Sequence, residues 1–278
     1  MATEVVSGML GEIRAASTAD GGTALSTTAV FIQLPLKSYH LMVTPRNFST
    51  AVVAKVAVNP WLVVLKTTDG MVTAPTDYSN YAQDGDTGTD VDLSSLDTVA
   101  NGDFLLVGSH TPFRGVYCDV DAANGTASRV LTVSYWNGVW TDSGDTNGTS
   151  SATTFDQDGL VVWTIPASWR SESLSTIYPN CPSVLMNSGT SRQQDIRADK
   201  LYWTRWEVNG ALDSDTTLNS MCAANRSTAY MELVSGQTFQ ERIKHGEIGG
   251  IGCVEALTNA GTANLIVDVA TIREGEFD

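Results

Sequence analysis

Short apolar runs alternate with turn residues throughout residues 103–207, and this alternation constrains the fold more than any other feature of the chain. Leu131–Trp136 and Leu201–Val208 are two of these runs, and both are rich in β-branched and aromatic side chains. Runs of about four to eight such residues, bounded by Gly, Pro, Asn, Asp or Ser, are typical of β-strands. Because many short strands separated by turns pack into two facing sheets, the stretch predicts an antiparallel β-sandwich.

The strongest local signal is the Asn-Gly pair in Tyr-Trp-Asn-Gly-Val-Trp, residues 135–140. Asn and Gly tolerate the positive φ angles of a type I′ turn, and the twist of that turn suits a hairpin with two connecting residues. The aromatic residues on both sides are good strand formers. We therefore predict a two-residue hairpin centred on Asn137 and Gly138.

Strand-like runs continue on both sides of residues 103–207, between residues 29 and 66 and again from about residue 229 to residue 272. We predict one short helix over residues 217–224 and a final hairpin around residues 258–261. The predicted fold class is therefore all-β, a β-sandwich or jelly roll with an extended N-terminal arm.

Composition divides the chain into three parts. The first 28 residues are small and polar, and we predict that they form an arm that a neighbouring molecule orders. Between about residues 73 and 102, Asp, Gly, Ser, Thr and Asn predominate, which is typical of a loop or linker. The predicted division is an arm (1–28), a small β lobe with its linker (29–95) and a jelly-roll-like β-sandwich (96–278).

Charge and apolar patterning narrow the classes of partner. The 278 residues include 31 acidic and 16 basic side chains, a net charge of -15, which argues against a nucleic acid partner because phosphate binding needs clustered Lys and Arg. The sequence predicts neither a secretory signal nor a membrane-spanning run, so we expect a soluble protein with no membrane partner. The four cysteines lie far apart, which does not support zinc ligation and predicts buried, reduced thiols.

Catalytic chemistry has little support in the sequence. None of the three histidines, His40, His110 and His245, lies beside a nucleophile motif. Paired carboxylates of a glycoside hydrolase stay open as an alternative, although the acidic residues cluster in loops, where carboxylates are usually solvated. We predict no catalytic residues, no cofactor and no enzymatic activity.

The acidic run over residues 84–92 raises the question of calcium. Asp84, Asp86, Asp90 and Asp92 place hard oxygen ligands at alternate positions, and the glycines between them permit tight turns. The run lacks the Gly at position six and the Glu at position twelve of an EF-hand loop. A polar loop without metal is the prediction, with these four carboxylates as a weak calcium candidate.

Six tryptophans lie between residues 136 and 206, and their surroundings differ. Most alternate with polar residues in strands, so core packing is their expected role. Trp140 lies beside the predicted hairpin turn, and we expect it to be exposed. It is therefore the candidate contact for a ligand or partner, since exposed aromatic rings on a sandwich can stack on sugars.

The order of these runs resembles a β-rich domain of structural proteins in tailed-bacteriophage virions. The runs that carry the resemblance lie at residues 103–108, 113–117, 131–140, 153–155, 161–169 and 201–207, followed by 225–230 and 261–265. The resemblance implies a non-enzymatic virion subunit, a capsid decoration protein on the outer shell that is made in the host cytoplasm. It also implies contacts with the major capsid protein or other virion subunits, and a homo-oligomer, with a trimer favoured. The alternative is a tail- or baseplate-associated protein that binds a glycan or receptor.

Overall fold

The computed structural model describes residues 13–15, 21–50, 53–94, 96–187, 193–224 and 230–271. Every strand pair among these residues is antiparallel. The strands are β1 (Ile13–Ala15), β2 (Thr23–Leu25), β3 (Val30–Gln33), β4 (Ser38–Arg46), β5 (Ala54–Pro60), β6 (Val63–Thr67), β7 (Thr76–Asp77), β8 (Val91–Asp92), β9 (Phe104–Ser109), β10 (Gly115–Val120), β11 (Leu131–Trp136), β12 (Trp140–Asp142), β13 (Thr146–Asn147), β14 (Gly159–Val162), β15 (Ser171–Glu172), β16 (Leu185–Asn187), β17 (Gln193–Asp195), β18 (Leu201–Val208), β19 (Thr217–Ala223), β20 (Met231–Leu233), β21 (Phe239–Arg242), β22 (Ile251–Thr258) and β23 (Ala263–Thr271). Helical turns are short: α1 (Leu174–Ile177) and three 3-10 turns, Tyr81–Gln83, Val99–Asn101 and Ile196–Ala198.

Strand pairing groups these elements into two units. The terminal unit contains β1–β5 and β20–β23, in sheet 1 (β1-β23-β4-β21, with β2 beside β23) and sheet 2 (β20-β5-β22-β3). The central unit contains β6–β19, in sheet 3 (β12-β11-β18-β9-β6-β7, with β15 beside β18), sheet 4 (β13-β14-β10-β19-β8) and the hairpin β16-β17. The central unit is thus inserted between the two halves of the terminal unit. The all-β prediction is confirmed, and the jelly-roll topology stays a prediction.

The terminal unit encloses an aliphatic core between its two sheets. Leu41 of β4 and Leu265 of β23 pack from sheet 1 against Val56 and Val254 of sheet 2. Burial alternates along much of β4 and β23 because successive side chains point to opposite faces of a sheet. The fully buried members of this core that the structure describes are all aliphatic.

The central unit encloses an aromatic core between sheets 3 and 4. Trp206 and Phe113 lie in this core with Phe155 and Trp163, and the Phe113 and Trp163 rings meet edge to face at 5.5 Å. The segment that contains α1 and β16–β17 covers the other face of sheet 3. All five residues of β6 are consequently buried, since side chains on both faces of this strand are covered.

One glycine is required by the packing of sheet 3. Gly108 of β9 lies opposite Trp203 of β18, and a Cβ atom on Gly108 would come within 2.5 Å of the Trp203 ring. A glycine inside a strand often marks such a close approach. The buried Trp203 ring therefore occupies the space that a side chain at position 108 would need.

The hairpin predicted at residues 135–140 is present, but its connection was predicted wrongly. Trp136 pairs directly with Trp140, so three residues, 137–139, form the loop. Gly138 has a φ of 114°, whereas Asn137 is not among the described residues with positive φ. A type I′ turn needs positive φ at both central residues, and three-residue loops are the next most common hairpin connection.

Two other local predictions were wrong because main-chain pairing decided the structure. Residues 217–223 form strand β19 rather than a helix, and this strand pairs with β10 on one side and with β8 on the other. The predicted final hairpin is absent, since β22 lies in sheet 2 and β23 lies in sheet 1. The connection at residues 259–262 crosses from one sheet of the terminal unit to the other.

The described part of the predicted N-terminal arm contains two strands, which belong to this chain's own sheet. Both β1 and β2 pair with β23 in sheet 1, so no neighbouring molecule is needed to order them. The remaining arm positions at 1–12 and 16–20 lie outside the described residues. The predicted boundary at residue 95 does not coincide with the sheets either, because β3 and β5 pair with β22 while β6 pairs with β9.

Candidate functional site

The acidic loop at residues 84–92 uses its carboxylates to hold its own turns. Asp84 accepts hydrogen bonds from the Asp86 N–H at 2.9 Å and from the Thr89 hydroxyl at 2.7 Å, and Asp86 accepts one from Gly88 N–H at 2.9 Å. Asp92 accepts the Ser94 N–H at 2.7 Å. Burial raises the pKa of Asp90, and the charge of Asp121 adds to the rise. No group of three or more His, Cys, Asp or Glu side chains in the described ranges could hold a metal.

Trp140 is half-buried, not exposed as predicted. Its ring meets the Trp136 ring edge to face at 5.3 Å and lies 6.4 Å from the Tyr178 ring. The guanidinium carbon of Arg205 lies 4.9 Å from the centre of the Trp140 ring, a cation–π contact. The tip of the hairpin is nevertheless accessible, because the neighbouring Val139 is 64% exposed.

A buried carboxylate joins the two units. Glu255 of β22 is fully buried, and the Arg114 guanidinium, which precedes β10, donates to it at 3.1 Å. The Asn59 carboxamide donates to the same carboxylate at 3.0 Å, and the Tyr230 hydroxyl donates at 2.6 Å. A buried charge is tolerated only when it is paired and hydrogen-bonded, and this network meets both needs. Glu255 is therefore a structural link between terminal and central units.

His245 forms a second link at the same junction. Its two ring nitrogens lie 2.9 Å from the carbonyl oxygen of Ile251 and 2.8 Å from that of Gln83, which belongs to the central unit. The Trp61 ring packs edge to face on the imidazole at 4.8 Å. Burial lowers the pKa of His245, and the two carbonyl contacts oppose that shift in part. This histidine is 4% exposed and is therefore closed to a substrate in solution.

Buried thiols make the third link. Cys253 of β22 contacts Cys222 of β19 and donates to the Ala223 carbonyl oxygen at 3.4 Å. Burial first, and then the adjacent Cys222, raises the pKa of the Cys253 thiol well above its usual value. A raised pKa keeps a thiol protonated, and protonated thiols are poor nucleophiles. All four cysteines are buried and none forms a disulfide, which confirms the prediction of buried, reduced thiols.

Beyond these links the junction opens into a groove of about 390 Å³. Phe31 of β3 and Tyr117 of β10 form its aromatic part, with ring centres 4.8 Å apart and planes within 9° of parallel. Polar side chains complete the walls, among them Asp119 of β10, Asn219 of β19 and Asp86 of the acidic loop. The volume lies within the range of about 300–1,000 Å³ that is usual for ligand pockets.

The polar wall of the groove has an unusual carboxyl group. Burial raises the pKa of Asp119, and the adjacent Asp158 carboxyl raises it further, while a hydrogen bond from Asn219 opposes the shift. Burial, followed by the charges of Asp158 and Asp119, raises the pKa of Tyr117 to about 12, so its hydroxyl stays protonated. These groups therefore offer both hydrogen-bond donors and hydrogen-bond acceptors to the groove.

Sequence reasoning found the acidic loop and Trp140 but missed the groove. Tyr117 and Asp119 are two positions apart in a strand, so a shared sheet face could have been read from the sequence. No local pattern pairs them with Phe31, which lies in the other unit and meets Tyr117 only in the folded chain. The structure brings Asp86 to the groove and leaves Trp140 out of its walls.

Comparison with known proteins gives no relative: no family model, no curated protein and no solved structure matches this chain. Within the described ranges, no helix combines the length and the apolar character needed to cross a bilayer.

Proposed function

We propose that this chain is a non-enzymatic structural subunit of a tailed-bacteriophage virion, where it binds the outer shell of the capsid as a decoration protein. The ordered runs of residues 103–207 support the proposal through their resemblance to virion proteins of this kind. The major capsid protein is the proposed partner, and the proposed assembly is a homo-oligomer, with a trimer favoured.

The observation that best supports a structural role is that the buried side chains able to do chemistry hold the two units together. Glu255, His245 and Cys253 each contact the central unit from the terminal unit. Side chains that could serve chemistry thus stabilise the junction between two sandwiches. A rigid block of this kind suits a subunit that must hold its shape on a particle.

Charge also fits the outer surface of a shell. The net charge of -15 disfavours contact with packaged DNA, since like charges repel. A strongly acidic subunit would be favoured at a basic surface of the capsid protein, with apolar contacts at the centre of the interface. The hairpin tip, with Val139 exposed beside Trp140, is the proposed apolar contact.

A second candidate function is a tail- or baseplate-associated protein that binds a glycan or receptor. The specific observation in its favour is the groove at Phe31 and Tyr117, which has the size and the mixed aromatic and polar walls of a ligand site. This candidate differs from the first in its location on the particle.

The proposal is tested by sedimenting the full chain with purified phage heads and, separately, with purified tails. We expect saturable binding to heads, and a trimer by light scattering. Val139→Asp should weaken binding to heads by about ten-fold, because a charge would enter an apolar contact. Val72→Asp, at a site that is 71% exposed, is the matched control and should bind normally. Binding to tails alone would favour the second candidate, and binding to neither would contradict both.

A further inference from the structure

We propose that the groove between β3 and β10 binds an uncharged saccharide, with Phe31 and Tyr117 as the aromatic platform and with Asp119 and Asn219 as hydrogen-bonding groups. The inference goes beyond a structural role on the shell, and it names the ligand class of the groove wherever the chain lies on a particle.

The aromatic pair supplies an apolar surface inside a polar groove. Phe31 and Tyr117 stack nearly parallel, and both rings are only half-buried, so part of their surface faces the groove. The C–H face of a sugar ring is apolar and packs on such a surface, because burying both faces removes apolar area from water. A platform of this type is unnecessary for a simple ion.

The polar groups match hydroxyl groups, which donate and accept hydrogen bonds at the same time. Asp119 and the phenol of Tyr117 lie on one face of β10, and Asn219 on the neighbouring strand bonds to the Asp119 carboxyl. The Asn219 Oδ1 atom is buried and has no hydrogen-bond partner among the described residues. A buried acceptor without a partner costs free energy. Asp119 and Asn219 both line the groove, where their carboxyl and amide groups can bond the hydroxyl groups of a ligand.

Charge argues against an anionic ligand in the groove. Asp86 and Asp119 line the groove, whereas the described lining residues include no Lys or Arg. Phosphate, sulfate and uronic acid groups would be repelled by these carboxylates. The groove is also a poor site for a divalent metal ion, because the described residues contain no set of three acidic, His or Cys side chains that could hold one.

The test uses the full chain on an array of neutral and acidic oligosaccharides, followed by calorimetric titration with the neutral oligosaccharide that binds most strongly. Tyr117→Ala and Asp119→Asn should each raise the Kd by about ten-fold or more. Tyr81→Ala, which removes a half-exposed tyrosine outside the groove, is the matched control and should leave the Kd unchanged. The urea midpoint of each variant, measured by tryptophan fluorescence, shows whether the variant is folded. If Tyr117→Ala does not fold, the nearly isosteric Asp119→Asn variant still tests the site.

Three outcomes would overturn the saccharide site: no neutral oligosaccharide binds, only acidic ones bind, or binding survives both groove substitutions. The result is separable from the proposed virion role. A groove variant that still sediments with phage heads but loses the sugar supports both proposals. A chain that binds the sugar at the groove and sediments with no particle supports the saccharide site alone.

Discussion

The terminal unit and the central unit reach similar sandwich architecture by different means. The core of the terminal unit is aliphatic and comes from the two ends of the chain, as in the pairing of Ala54 with Thr258. The core of the central unit comes from one continuous stretch and is rich in aromatic side chains, among them Trp163, Trp169 and Trp206. The difference teaches that only the central unit can assemble from its own contiguous sequence.

This asymmetry sets the order of stability within the molecule. Pairing of β5 with β22 must close a loop that contains the whole central unit, and loop closure costs entropy. A folded central unit shortens that loop, so the terminal unit depends on it. Unfolding of the terminal unit alone is therefore expected to need less free energy than unfolding of the whole chain.

The largest expected effect is the loss of stability when a cavity is made in one of the two cores. Leu265→Ala leaves a cavity in the terminal core and should cost about 4 kcal/mol there. Hydrogen exchange followed by mass spectrometry should show lost protection in β4 and β23 while β9 and β18 stay protected. Leu105→Ala in the central core is the matched variant, since both leucines are fully buried, and it should lower protection in both units. Equal losses in both units from Leu265→Ala would refute the dependence described here.

An intermediate effect is expected at the junction. Arg114→Met removes the guanidinium that pairs with the buried Glu255 carboxylate at 3.1 Å, and it should cost about 3 kcal/mol in urea unfolding. Adding Glu255→Gln should recover much of that loss, because no buried charge is then left without its counter-charge. A loss below about 0.5 kcal/mol, the usual size for exposed ion pairs, would mean that the pair does not hold the units together.

The smallest expected effect is pH dependence at His245. Because its pKa is lowered in the folded protein, the unfolded chain takes up the proton first as the pH falls. The contribution to stability is present above the unfolded pKa of about 6.5 and is lost as the pH falls from there towards the lowered pKa of the folded state. His245→Gln should flatten the fall in Tm between about pH 7.5 and pH 5. His110→Gln, at an exposed position, is the control, and an unchanged slope in His245→Gln would contradict the assignment.

The strands of the central unit were predicted better from the sequence than those of the terminal unit, because the central unit is formed by one contiguous stretch. Leu131–Trp136 and Leu201–Val208 have strand bounds that local composition indicates, and both are strands. The course of β22 and β23 into different sheets depends on partners about 200 positions away, which no local pattern encodes. The helix predicted over residues 217–224 failed because β19 is paired on both sides, and such pairing overrides local propensity.

The groove, too, depends on residues that are distant in the sequence. The acidic loop and Trp140 were visible as local features, yet their side chains are engaged in turns and in packing. The groove arises where Phe31 of one unit meets Tyr117 of the other, so it could be found only from the fold. Chemistry at a junction between units is invisible to motifs read along the chain.

The central functional claim is tested most directly by gold-labelled antibodies against the recombinant chain, applied to phage particles from the source lysate and imaged by electron microscopy. The account predicts label spread over the outer surface of the heads. Label confined to tails would contradict the decoration role, and particles without any label would contradict a place in the virion.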